Sequence, residues 1–294
     1  MIPEATSSYR GLYINLDRSG ARRERMDAQL TALGLADRYA RFSATDGGAL
    51  NLSRSKIGPG EMGAFLSHTR AVEEARGAAV PVHILEDDAL LSRHVRPVIE
   101  DAIAAGLFER FDIVFTDTLF APHLGMLKTL KATFDAVPVP AAQPLRLADL
   151  RTIDLARENF SCLTSYIVGA KSAERIAALF RREFDTGPGK PADLFIRDCV
   201  GRGQLRAAVL FPFVTSFRLD EIEGSTIGAG TPLAKPSVMV LALLRYLFFV
   251  ERDLDYARRC LDAATKQNRR QSDSHHELMA QALEFVLSAD FQQF

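Results

Sequence analysis

The sequence predicts an α/β fold, a mainly parallel sheet flanked by helices, followed by a C-terminal α-helical extension. Short apolar runs alternate with segments of helical period as far as Phe217, the signature of strands and covering helices taking turns along the chain. From Pro232 onward the pattern becomes purely helical and no strand run is left. At 294 residues, 47% of them hydrophobic and 25% charged, the chain has the composition of a globular protein and the length of one large core with an appendage.

Residues 12–17 (LYINLD) form a short apolar run ending in polar residues, and residues 21–33 set Met26, Leu30 and Leu33 on one helical stripe closed by Gly34. A strand followed by a helix is the reading. Residues 60–76 repeat the helical period with Met62, Phe65, Leu66 and Val72. Residues 80–85 return to a buried-strand composition, with Pro81 weakening the first positions. Helix is predicted for 95–106, strand for 111–116 and 165–169, and helix for 172–182. Between Phe120 and Phe160 the period weakens and Pro122, Pro138, Pro140 and Pro144 break it, so long loops with some strand are expected. The turn cluster at 185–191 precedes a helix at 192–201 and a strand at 205–211. Three helical patterns follow at 238–251, 254–266 and 274–288. A boundary near Gly230 separates residues 1–230 from residues 231–294, the latter being either a domain of its own or an extension docked on the sheet.

Lys+Arg 36 against Asp+Glu 37 gives a net charge of -1, without the basic surface that neutralising nucleic-acid phosphates needs. Cys162, Cys199 and Cys260 are too few and too scattered for a disulfide framework or a paired-cysteine zinc site, which fits a reducing compartment. The first residues carry no basic-then-apolar leader. The most apolar stretch, 238–250, is shorter than the ~20 residues of a spanning helix and contains Arg245, so no transmembrane segment is expected. So apolar a helix must be covered, by the other tail helices together with either the core or a second subunit; a homodimer through the tail is therefore expected.

Three constellations carry chemistry. Residues 82–88 (VHILEDD) are an apolar strand that stops on Glu86, Asp87 and Asp88. Ligands of open α/β sheets gather outside the carboxyl ends of strands. Three adjacent carboxylates repel one another until a hard divalent cation relieves them, and Mg2+ or Mn2+ typically takes one or two carboxylates with substrate phosphates completing the shell. The same triplet also reads as a solvated acidic turn. The second is residues 60–68 (GEMGAFLSH), where a spacing of seven brings Glu61 and His68 to one helix face, either toward a pocket or toward solvent. Adjacent Ser67 and His68 diverge on a helix and no G-x-S-x-G elbow is present, which argues against a serine hydrolase. The third is Asn15, Asp17 and Arg18 at the first strand's end, with Arg22 and Arg23 opening the next helix: groups suited to a base, ribose or diphosphate, or simply a capping turn with solvated arginines. Neither G-x-G-x-x-G nor a P-loop lysine motif is present.

In order, the stretches YINLDRSGARRERM, RFSATDG at 41–47, GEMGAFLSHTRAVEEA and HILEDDALL resemble glycosyltransferase family 25, the bacterial lipopolysaccharide and lipooligosaccharide galactosyltransferases, to which collagen galactosyltransferases are also similar. Beyond Leu91 the resemblance thins to FDIVFTDT, TSYIVGAKSAERI, PADLFIRD and GSTIG at 224–228, and it ends before the tail. It implies a GT-A type, Rossmann-like fold and an inverting transfer of a hexose, most typically galactose from UDP-galactose, to a lipopolysaccharide, lipooligosaccharide or capsule sugar. On that resemblance Asp88 and Glu86 are the metal and donor-ribose residues with Asp87 as alternate, the cofactor being Mn2+ or Mg2+. Asn15, Asp17, Arg18, Arg22, Glu61 and His68 line the donor side. Asp193 is the expected general base and Asp117 its reserve. GT-A enzymes often take a further late ligand, frequently His, and this chain has no His between His123 and His275, so Asp220, Asp193 or water would fill that place. The alternative expectation is a non-catalytic scaffold or binding protein in a polysaccharide-assembly pathway. A cytoplasmic location is expected, with transient contact at the inner face of the inner membrane.

Overall fold

The computed structural model describes residues 8–50, 55–120, 124–137, 143–221 and 236–268. The chain runs through β1 (Arg10–Asn15), α1 (Gly20–Ala32), β2 (Tyr39–Ser43), α2 (Pro59–Glu74), β3 (Val82–Glu86), β4 (Ala89–Leu91), α3 (Val95–Ala104), α4 (Leu107–Arg110) and β5 (Ile113–Phe115). It continues with β6 (Leu119–Phe120), α5 (Leu124–Asp135), β7 (Arg151–Asp154), β8 (Phe160–Ser161), β9 (Ser165–Val168), α6 (Ala173–Thr186), α7 (Ala192–Gly201), β10 (Ala207–Phe211), β11 (Thr215–Phe217), α8 (Pro236–Leu247) and α9 (Leu254–Asn268).

Seven strands form the central sheet in the order β2-β1-β3-β9-β5-β10-β7. β2, β1, β3, β5 and β10 point one way, whereas β9 and the edge strand β7 run against them. β1, β3, β5 and β10 are buried nearly end to end, as strands with helices on both faces must be. α2, α6 and α7 pack together around the rings of Phe65, Phe180 and Phe195. Residues 165–169 do form a strand, but an apolar run carries no direction. Because β9 is antiparallel between β3 and β5, its amino-terminal end lies beside their carboxyl ends, with Ser165 opposite Leu85 and Tyr166 opposite Phe115.

Two elements differ from expectation. α5 occupies part of the stretch expected as loops, and it buries Leu127, Leu130 and Phe134, a stripe at spacings of three and four that the surrounding prolines obscure. β2, half-polar and half-buried, was not legible as a strand. The boundary at Gly230, the GSTIG stretch and the third tail pattern at 274–288 lie outside the described residues. α8 starts on Pro236 and lies against β6 and β11, and the turn after it hydrogen-bonds the core backbone through Phe213 N–H to Phe248 O (3.0 Å) and Val250 N–H to Phe213 O (3.0 Å). The apolar side chains from Ala242 to Val250 are buried within this chain, so that part of the run is covered without a second subunit. No helix among the described residues is long and apolar enough to cross a membrane.

Candidate functional site

The sheet collects polar groups at one edge because its parallel strands end there together. β1 ends on Asn15, β3 on Glu86 with Asp87 and Asp88 following, and β5 is followed by Thr116 and Asp117, while Thr164 leads into β9 from the same side.

The three consecutive acids do not converge. Glu86 is gripped on both oxygens: His68 Nε2 lies 3.2 Å from Oε1, and Thr164 Oγ1 donates to Oε2 at 3.1 Å. On its other side the His68 ring meets the Tyr166 hydroxyl, with Nδ1 3.1 Å away. Burial opposes the Glu86 charge, but the His68 and Thr164 contacts outweigh it and hold the carboxyl below its ordinary range. Asp87 is taken by Asn15 Nδ2 at 2.7 Å and Arg22 Nη1 at 3.2 Å. Asp88 differs: its Oδ1 is buried with no hydrogen-bond partner. Burial first, then the charges of Glu86 and Asp87, push its carboxyl up to about 7 against the pull of Arg22 and Arg245.

Arg245, which the sequence reading noted only as a charge inside an apolar helix, is the buried cation of this edge. Its Nε donates to Asp117 Oδ1 at 2.6 Å and its Nη2 to Oδ2, a two-armed pair with Asp117 fully buried, and its guanidinium lies 4.4 Å from the centre of the Phe217 ring. Asp117, the reserve base expected from sequence, has both oxygens engaged by Arg245. Asp193 sits at the start of α7, its Oδ2 accepting the Cys162 N–H at 2.9 Å and its Oδ1 the Leu194 N–H at 2.8 Å. Cys162 stands two residues before Thr164, which meets Glu86, so the bond to Cys162 places Asp193 near the same edge.

Of the groups at the end of β1, Asn15 is buried and braces both Asp87 and Arg41, and Arg22 bridges Asp87 and Glu221. Asp17 and Arg18 are not drawn in: Asp17 is exposed and paired with Arg41 and Ser43, and Arg18 pairs with Asp46 on the surface. Glu61 also departs from expectation. Seven residues put two side chains on one helix face but about 10.5 Å apart along the axis. Only His68 reaches the acids, while Glu61 Oε2 accepts the Gly58 N–H at 2.9 Å and caps α2. The RFSATDG and GEMGAFLSH stretches meet in space, Ser67 Oγ accepting the Thr45 N–H at 2.8 Å. A Cβ on Gly63 would stand 2.7 Å from the Gly47 nitrogen, so only glycine permits that approach.

Among the described residues no three His, Cys, Asp or Glu side chains gather as a complete metal-ligand set. The donor chemistry nonetheless suits a hard cation: an unpaired buried carboxylate oxygen on Asp88, flanked by two further acids. Two clefts lie elsewhere, one of about 490 Å3 beside Asn159 and Arg197 and one of about 340 Å3 between Leu90 and Tyr256. Neither contains one of the acids, so the site rests on its polar geometry. Comparison with family models and with curated proteins finds no match to this chain.

Proposed function

We propose that this chain is an inverting glycosyltransferase of GT-A type that moves a hexose, most typically galactose from UDP-galactose, onto a sugar of a lipopolysaccharide, lipooligosaccharide or capsule. The observation that carries the reading is Asp88, a strand-end carboxylate whose buried Oδ1 lacks a hydrogen-bond partner beside two acids that each have a partner on both oxygens. Asp88 would hold a divalent ion, Mn2+ or Mg2+, together with the donor diphosphate. That ion supplies charge stabilisation to the departing nucleotide. Glu86, fixed by His68 and Thr164, offers its remaining lone pairs to the donor ribose, and Asn15 and Arg22 hold Asp87 in place.

UDP release from a panel of UDP-hexoses with Mn2+ tests the reading: wild-type protein should release UDP from one donor well above the others, and Asp88→Asn should abolish it. The second reading, a non-catalytic scaffold of the same fold, is favoured by one observation, that Asp117 and Asp193 each have both oxygens engaged within the protein. Absence of UDP release from every donor, with and without added oligosaccharide, would decide for the scaffold.

A further inference from the structure

Cys162 is, among the described residues, the one non-glycine with a positive φ, at 76°. In that left-handed region a Cβ crowds the following carbonyl, and a residue persists there only where its surroundings over-determine it. Here the restraint is Asp193, whose carboxylate accepts the Cys162 N–H at 2.9 Å from the start of α7. The turn so fixed sends the chain from β8 into β9. Two residues later Thr164 meets Glu86 twice, its hydroxyl donating to Glu86 Oε2 at 3.1 Å and its carbonyl accepting the Glu86 N–H at 2.9 Å.

We propose that Asp193 is a positioning residue: its carboxylate holds Cys162 in the left-handed conformation and thereby sets Thr164 against Glu86. The link to ligand binding rests on the reading of Glu86 as a donor-site residue; the clamp itself does not. A general base must lose a proton-accepting carboxylate to fail, whereas a clamp needs only an acceptor oxygen. Asparagine keeps that oxygen and alanine does not. Glycine at 162 adopts positive φ without a Cβ penalty, so it should relieve the need for the clamp.

The experiment compares Asp193→Asn, Asp193→Ala, Cys162→Gly and the Asp193→Ala/Cys162→Gly double variant. One readout is independent of ligand: the rate at which iodoacetamide alkylates Cys162, followed peptide by peptide by mass spectrometry. Burial pushes this thiol up to about 12 in the folded protein, so it reacts slowly while the turn holds. Alkylation should rise about tenfold in Asp193→Ala and stay within about twofold of wild type in Asp193→Asn. The other readout is UDP affinity with Mn2+, which should fall about tenfold in Asp193→Ala, recover in Asp193→Asn and recover in the double variant. Unchanged Cys162 alkylation in Asp193→Ala would overturn the clamp. So would equal loss of UDP-hexose turnover in Asp193→Asn and Asp193→Ala with UDP affinity intact in both, the mark of a general base. If wild-type protein binds no UDP, the donor-site reading fails, and the alkylation series still decides the clamp.

Discussion

Arg245→Ala should cost far more stability than an arginine substitution on a helix surface. Wild-type Arg245 is 6% exposed and Asp117 0% exposed, and both arms of the guanidinium are engaged. Removing the arginine leaves a carboxylate buried without its cation, a loss of about 3–5 kcal/mol by the usual behaviour of broken buried pairs. For a chain of this size that corresponds to a fall in Tm on the order of 10 °C. Arg245→Lys keeps the charge but not the planar fork, and should fall between. The double variant Arg245→Met/Asp117→Leu removes both charges and should recover most of the loss, because the desolvation penalty disappears with them. Urea unfolding followed by circular dichroism gives each free energy, and wild type, Arg245→Met, Asp117→Leu and the double variant together give the coupling between the two positions. A loss below about 1 kcal/mol for Arg245→Ala, or additivity of the two single variants, would refute the claim that α8 is tied to the sheet by a desolvated ion pair.

Two pH effects follow from buried groups. His83, fully buried in β3 between the Tyr39 hydroxyl (2.7 Å) and Ser165 Oγ (2.8 Å), is driven down to about 3 by burial. Its folded value lies below its unfolded one, so its stabilisation is present above pH 6.5 and is lost as pH falls toward 3; acid titration of stability should show this loss, on the order of 4 kcal/mol, and His83→Gln should flatten it. Asp88 has the opposite sign: with the folded value raised to about 7, its relative stabilisation is full below the unfolded value and is lost as pH rises through about 7. Metal-free protein should therefore lose stability between pH 4 and 7, and Asp88→Asn should lack that slope; an identical slope in the variant would remove Asp88 as its source.

Much of the fold was legible because its elements announce themselves locally. The stripe of Met26 and Leu30 on α1, the apolar run of β3 ending in acids and the helical period of α2 each follow from a few neighbouring residues. Strand direction does not, which is why β9 came out antiparallel. α5 was readable from Leu127, Leu130 and Phe134, and the capping role of Glu61 from its place three residues after Gly58 and two after Pro59. At the site, His68 and the strand-end acids could be found from pattern and spacing. An arginine inside an apolar helix signals that a buried partner is needed, but nothing local identifies Asp117, 128 positions away, as that partner. The left-handed turn at Cys162 was invisible for a similar reason: cysteine is not a turn residue, and the restraint on it comes from Asp193 across the fold.

Isothermal titration of UDP into the protein, with Mn2+ and then with EDTA, for wild type and Asp88→Asn, tests the central claim most directly. If the unpaired Asp88 oxygen is where a cation joins protein to diphosphate, wild-type affinity should be at least about tenfold higher with Mn2+ and should increase from pH 6 to 8 as Asp88 loses its proton, while the variant should bind UDP equally weakly under both conditions. Equal wild-type affinity with Mn2+ and with EDTA would contradict it.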